Sequence, residues 1–304
     1  MNGDYLAYAG AYEHDPASNV QQNLAELNAR HRRLHRARAF WLGELISVLD
    51  KDVLPTADRV QDLCEQLTAQ DGASDLYAAA LQSADLLALC HEVAARYPAG
   101  CEQAFSALFG EYEPPSPEAQ GRVAYVANSY TEQAFMELTA FIKNRRVAYF
   151  HGFEDVCQEV RSGLCEYGIL PVESTFEGVM AGLMRQIELY DLRICALCYV
   201  PTQQSGSTAF ALVCRTLPAQ QPSSRHCIDL LLSPVTPEET GRLISVAALC
   251  SHTLLHASTY TGEDGELFRL RLSVNPASHY PFLLYLLFFC ADVTPIGFYA
   301  QNKK

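Results

Sequence analysis

Positive charge is scarce in this 304-residue sequence: 22 Lys and Arg stand against 35 Asp and Glu, for a formal net charge of −13. Such a surface repels phosphate backbones and anionic lipid unless its cations gather on one face, so neither nucleic acid nor a membrane is an expected partner. Long apolar runs are missing as well. The most apolar stretch, Phe282 to Ala291, is about half of what a bilayer-spanning helix needs. The residues after Met1 lack the basic-then-apolar order of a secretory leader, and the expectation is a cytoplasmic chain. Paired cysteine motifs are absent: the 11 Cys show no two pairs at zinc-ribbon spacing, so they read as buried reduced thiols rather than a disulfide framework. The single Cys-x-x-Cys, Cys195 to Cys198, lies within an apolar run and reads as core thiols. His31 and His35, like His252 and His256, stand four apart, but neither pair has a third ligand at a telling spacing. No metal and no cofactor is expected. Repeats and low-complexity segments are also absent.

What is present is a globular composition, 49% hydrophobic and 19% charged, over a length that suits two or three domains. From about Asn19 to Phe109 the apolar residues recur at helical steps, beginning with Leu24, Leu27, Leu34, Trp41, Leu45 and Leu49. Thr56, after Pro55, is placed to cap a second helix carrying Val60, Leu63 and Leu67; Ser74 is placed to cap a third carrying Leu86, Leu87, Cys90 and Val93. A short fourth helix holds Ala104, Phe105 and Leu108. Three prolines in Glu111 to Pro117 cannot propagate a helix, which marks a linker. Beyond it, β-rich runs at Val123–Ala127, Val147–Phe150, Tyr167–Val172, Leu192–Val200 and Ala209–Cys214 alternate with helical stretches, predicting a mostly parallel sheet. A second polar break, Pro218 to Ser224, precedes a run that reads βαββαβ, a ferredoxin-like order. The expected architecture is α/β and α+β multidomain: helical over 1–112, a single-lobed open α/β sheet over 117–217, and a ferredoxin-like module over 218–304.

The run Arg30 to Arg38 holds five of the 22 basic residues. Guanidinium groups pair with carboxylates in a fixed two-pronged geometry, so this helix face is a candidate to grip a small dicarboxylate; a solvated face or a subunit contact is the other reading.

The segment Arg122 to Arg215 carries an ordered set of motifs: a first strand feeding Asn128-Ser129-Tyr130-Thr131, a block FEDV…V.SG..EYGILPVE…EG ending at Gly178, and a Thr208-Ala209-Phe210 strand. In that order they resemble prephenate dehydratase. The βαββαβ run after the second break resembles the ACT domain that ends such enzymes, and the helical start is similar to a helical chorismate mutase. The resemblance implies a bifunctional chorismate mutase/prephenate dehydratase layout, with a small dicarboxylate substrate or an aromatic amino-acid ligand and a homodimer formed through the ACT-like domain. It implies Thr208, Phe210 and Glu173 as catalytic residues and Ser129, Tyr130, Thr131, Ser174, Thr175 and Gly178 as substrate-binding residues. Arg30, Arg33 and Arg59 become candidates to hold chorismate, and Gly241 and Leu243 a regulatory turn.

This chain departs from the family's pattern at definite positions. Ala209 stands where the resemblance implies an arginine, and the loop at Asn128 to Thr131 has no glycine. Only Cys198 to Ser207 lies where a second lobe is implied. The sequence supports two readings: a dehydratase-like protein of phenylalanine biosynthesis that converts prephenate to phenylpyruvate, and a non-catalytic ligand-sensing or partner-binding protein on the same frame.

Overall fold

A computed structural model describes residues 24–25, 29, 43, 46–47, 53–69, 83–203, 205–232, 236–262 and 265–300. The chain divides into two compact units, residues 1–49 with 63–81 and residues 50–62 with 82–304. All described residues of the first unit are helical. The basic run, with Arg30 and Arg33, lies outside the described residues, as does the proposed cap Ser74.

Helix α1 (Ala57–Ala69) has residues 57–62 in the second unit and 63–69 in the first; at its start the Thr56 hydroxyl accepts from the Arg59 backbone N–H at 3.3 Å, the expected cap. Helices α2 (Ser83–Arg96) and α3 (Cys101–Phe109) follow. Strands β1 (Arg122–Val126), β2 (Arg146–Phe150) and β3 (Tyr167–Ser174) are linked by helices α4 (Ser129–Leu138) and α5 (Phe153–Arg161). After β4 (Gly178–Val179) and α6 (Ala181–Leu189), strands β5 (Arg193–Pro201) and β6 (Ser207–Cys214) form a hairpin. The remaining elements are β7 (His226–Leu232), α7 (Pro237–Leu249), β8 (Thr253–Gly262), β9 (Gly265–Ser273), α8 (His279–Phe289) and β10 (Val293–Ala300), which is the expected βαββαβ order.

Instead of a mostly parallel sheet, the strands form one mixed sheet in the order β2-β1-β3-β6-β5-β10-β7-β9-β8. Only the β1–β2, β1–β3 and β5–β10 ladders are parallel among the described residues. The cause lies in the connection after β5: the Thr202 N–H donates to the Gly206 carbonyl and β6 runs back antiparallel to β5, instead of a crossover helix following. At the far side of that hairpin, β5 pairs with β10 at Gly297 and Ile194, so the sheet continues across the Pro218–Ser224 break.

Strands β7, β9 and β10 are buried on both faces by the chain itself, whereas Thr253, Leu254, Leu255, Ala257 and Thr259 of β8 are exposed. On one face lies α8, whose Phe282, Leu283, Leu284, Tyr285, Leu286 and Phe288 are all buried. Part of its apolar surface packs against α2 and α3. Phe105 and Phe109 of α3 reach Phe298 of β10, and Gln61 Nε2 of α1 donates to the Phe288 carbonyl at 2.7 Å. On the other face Cys227, Leu231, Leu267 and Tyr299 share a core with Val172, Met184 and Ile187 of the α/β half. No helix of the described residues is long and apolar enough to cross a membrane.

Candidate functional site

The strand directions bring the end of β1, the end of β3, the end of β5 and the start of β6 to one edge of the sheet. In open α/β sheets this carboxyl edge is where crevices form. Glu173, Ser174, Thr175, Gly178, Thr208, Ser129 and Tyr130 lie along it, although on different faces.

Ser174 and Thr208 are cross-strand partners, and Thr175 is tied to Ser207 by the Thr175 N–H donating to the Ser207 carbonyl (2.9 Å) and the Ser207 N–H donating to Thr175 Oγ1 (2.9 Å). Gly178 lies in the turn leading into β4 with φ of +72°, a backbone region that disfavours side chains, and it pairs with Ser174. The Thr175 hydroxyl therefore helps hold the strand end together, with backbone pairing of Ser174 and Thr208 beside it. Ser129 is exposed at the start of α4, whose cap is Asn128: its Oδ1 accepts from the N–H groups of Tyr130 (3.0 Å) and Thr131 (2.9 Å). Those are the groups a bound anion would need, and the chain's own side chain occupies them.

Other expected site residues fall away from the edge. Phe210 is buried at 3% exposure among Val123, Tyr125, Ile169 and Leu212, a core ring rather than a site residue. Thr131 is fully buried, so it cannot touch a ligand at the edge. Arg59 is exposed on α1. Gly241 and Leu243 are not in a turn: both lie within α7, Gly241 exposed and Leu243 buried. The Cys-x-x-Cys residues lie on β5, where burial pushes the Cys198 thiol up to about 12, and a hydrogen bond with Cys214 together with burial raises Cys195. Among the described residues no group of three His, Cys, Asp or Glu could hold a metal. His252 and His256 are not helical neighbours: His252 is buried against Phe282, and His256 is on β8.

Glu173 faces the opposite way from Thr208. It is the cross-strand partner of Ala209, which is in turn the partner of Tyr199, and this row looks onto the inner core. Glu173 Oε1 lies 4.0 Å from His256 Nε2, too long for a hydrogen bond. From the far side Arg271 Nη1 donates to Tyr199 Oη at 3.0 Å.

Arg271 belongs to a buried cluster that the sequence did not disclose. Asp229 accepts from Arg269 Nη2 at 2.6 Å, Arg271 Nε at 3.1 Å and the Tyr299 hydroxyl at 2.8 Å. Arg269 and Asp229 have no exposed surface. Burial alone would raise the Asp229 carboxyl, but Arg269 and Arg271 outweigh it and hold the group below its ordinary range. Burial and the neighbouring Asp229 carboxylate push the Tyr299 phenol well up, so it stays a neutral donor. The signal available in the sequence was Asp229 itself, one carboxylate inside the apolar run Cys-Ile-Asp-Leu-Leu-Leu.

Electrostatically the carboxyl edge and this cluster are opposites. The edge segments 127–131, 151–155, 173–179 and 201–208 contain no Lys or Arg but do contain Glu154, Asp155, Glu173 and Glu177. The cluster carries two guanidinium groups for one carboxylate.

Comparison with known proteins places this geometry. No curated protein matches the chain. A structure of prephenate dehydratase from Streptococcus mutans is similar at a TM-score of 0.50 and 17% identity, covering 60% of this chain and 99% of that one. A protein described as a novel type of quorum-quenching acylase is similar at 0.49 and 16% (60% and 96%), and a prephenate dehydratase from Arthrobacter aurescens in complex with L-Phe at 0.47 and 10% (59% and 90%). The Streptococcus mutans likeness covers a larger share of the chain than residues 126–206 make up, so the common fold runs beyond them. Residues 126–206 match the family model of prephenate dehydratase, and over that stretch the chain has a prephenate dehydratase-like fold.

Proposed function

We propose that this chain is a prephenate dehydratase-like protein that has lost dehydratase turnover and works by binding a small carboxylate ligand. One observation carries the reading: the carboxyl edge, where Thr208, Ser174 and Ser129 lie, offers no cation to a dianion. Prephenate has two carboxylates, and its decarboxylation with loss of water requires fixed positive charge or N–H groups at the anions plus a proton donor at the ring hydroxyl. Ala209 cannot supply the charge, Asn128 occupies the α4 N–H groups, and Glu173 adds negative charge nearby. Thr208 retains its hydroxyl, but it stands there as the strand partner of Ser174 and Val200, with no cation beside it in the edge segments.

The homodimer implied by the resemblance belongs to this reading too. With β7, β9 and β10 covered on both faces, it forms through the edge strand β8, where Leu254 and Leu255 are 43% and 40% exposed. The test of function is direct: purified protein is incubated with prephenate and phenylpyruvate is followed. We expect no formation above the spontaneous rate. Turnover at an ordinary enzymic rate, abolished by Thr208→Ala, overturns the reading.

A further inference from the structure

The inner face of the C-terminal strands has more donors than the protein itself uses. Asp229, Arg271 and His256 stand in one cross-strand row over β7, β9 and β8, and Arg269 and Ser258 stand in the next. Two guanidinium groups share a single carboxylate. Within that arrangement Arg269 Nε and Nη1 and Arg271 Nη2 have no hydrogen-bond partner, and neither do Ser258 Oγ or His256 Nε2. The Arg269 side chain is fully buried and that of Arg271 is 6% exposed, so bulk water does not satisfy these donors.

The Asp229 cluster carries a surplus of one positive unit, and no hydrogen bond links it to an acid on the facing side. Glu173 is the acid on the facing side, yet its Oε2 is itself unpartnered and its Oε1 stops 4.0 Å short of His256. Both residues keep partial exposure, 22% for the Glu173 side chain and 30% for His256, whereas Arg269 and Asp229 have none. The arrangement is thus open at the Glu173–His256 pair and closed at Asp229. The core it adjoins is apolar, with Val172, Met184 and Leu267.

We propose that this inner face binds one small monocarboxylate, its anionic end on the free donors of Arg269 and Arg271 beside Ser258 and His256, and its apolar remainder toward Met184 and Leu267. The inference rests on the ligand-binding half of the function proposed above and gives that ligand a class and a location. A monoanion suits the site because the free Arg269 and Arg271 N–H donors can take one carboxylate, whereas a dianion would bring a second negative charge beside Asp229 and Glu173. Charge-assisted donors are the strong ones, and the carboxylate is their natural acceptor. Arg271, through Tyr199, also brings a guanidinium to the row that contains Ala209.

Acetate and benzoate are suitable probes, with chloride at equal ionic strength as the control. Thermal unfolding of the full chain should shift upward with acetate and more with benzoate, and calorimetry should give one site per chain. Ser258→Ala and His256→Gln each remove one contact at a partly exposed position and should weaken benzoate on the order of tenfold. Arg271→Lys keeps a charge beside Asp229 but removes the free Nη2, and should abolish the shift. If Arg271→Lys does not fold, the two milder variants decide. No shift beyond chloride in the wild-type protein, meaning that only water fills the face, overturns the proposal, as does undiminished binding in both milder variants. Prephenate turnover with no benzoate binding would sink this inference and the function above together; no turnover and no benzoate binding would sink this one alone.

Discussion

Gly297 of β10 lies against Ile194 of β5 so closely that a Cβ on the glycine would stand 2.9 Å from the Ile194 Cβ and 3.1 Å from its carbonyl oxygen. This is the register pair that joins the C-terminal strands to the β1–β6 portion of the sheet. A carbonyl oxygen and a β-branched side chain in a strand have little room to retreat, so the seam tolerates only hydrogen at that position.

Gly297→Ala should therefore destabilise the protein by about 1–3 kcal/mol, the range for overpacking a dense interior. Chemical denaturation followed by circular dichroism checks this. An unchanged midpoint would mean that the two strands separate at no cost.

Acid should weaken the protein before its carboxylates titrate. Burial lowers His252 to about 4, and burial with His252 and His226 nearby lowers His279 to about 3, against an ordinary value of 6.5. Both rings are neutral in the native state and charged in the unfolded chain below pH 6.5. Their contribution is thus fully present above that pH and is lost as the pH falls toward the native values. For His252, which accepts a hydrogen bond from the Asn275 N–H at 3.1 Å, the loss by pH 4 is on the order of 3 kcal/mol. Urea midpoints measured between pH 7 and pH 4.5 should fall steadily, and His279→Asn should flatten the slope.

Restoring the arginine that the resemblance implies should not restore a dehydratase. Ala209 is 1% exposed and its row looks onto the inner core beside Tyr199, which already receives Arg271. Ala209→Arg would add a large side chain and a further positive charge where a guanidinium surplus exists, costing several kcal/mol on the scale of unpaired buried charge. The variant should melt lower and form no phenylpyruvate. Activity gained without loss of stability would show that the row opens to substrate.

Oligomeric state should depend on one strand. Leu255→Lys at the edge of β8 is expected to turn a dimer into a monomer by light scattering while leaving the melting profile of the monomer intact. A dimer that ignores the substitution would place the interface elsewhere.

The local elements were legible because each strand and helix announces itself within a few residues. Cys227 to Leu232 and Ala209 to Cys214 are apolar runs, and the actual strands, His226–Leu232 and Ser207–Cys214, differ only at their ends. The joining of the two halves was not legible, since it rests on one close backbone approach at Gly297, and an isolated strand glycine has many explanations. The buried cluster was hidden for a different reason. In Leu267 to Leu272 the alternation Leu-Phe-Arg-Leu-Arg-Leu has the form of a half-exposed strand with arginines in water; both faces are buried, and only the fold of the distant α/β half makes the arginine face interior. The edge motif shows the reverse: its order in the sequence puts Thr208, Ser174 and Gly178 at one strand end, but what Asn128 does to the neighbouring N–H groups depends on a cap geometry that four letters do not fix.

The seam also orders events during synthesis. A chain leaves the ribosome from its N-terminus, and β5 is complete at residue 201, whereas its second neighbour, β10, is complete only at residue 300. Through all the intervening translation β5 presents a free row of backbone N–H and C=O groups, and the inner core lacks Cys227, Leu231, Leu267 and Tyr299. The nascent α/β half is therefore a sticky, unfinished object that needs either speed or a chaperone until the last strand arrives.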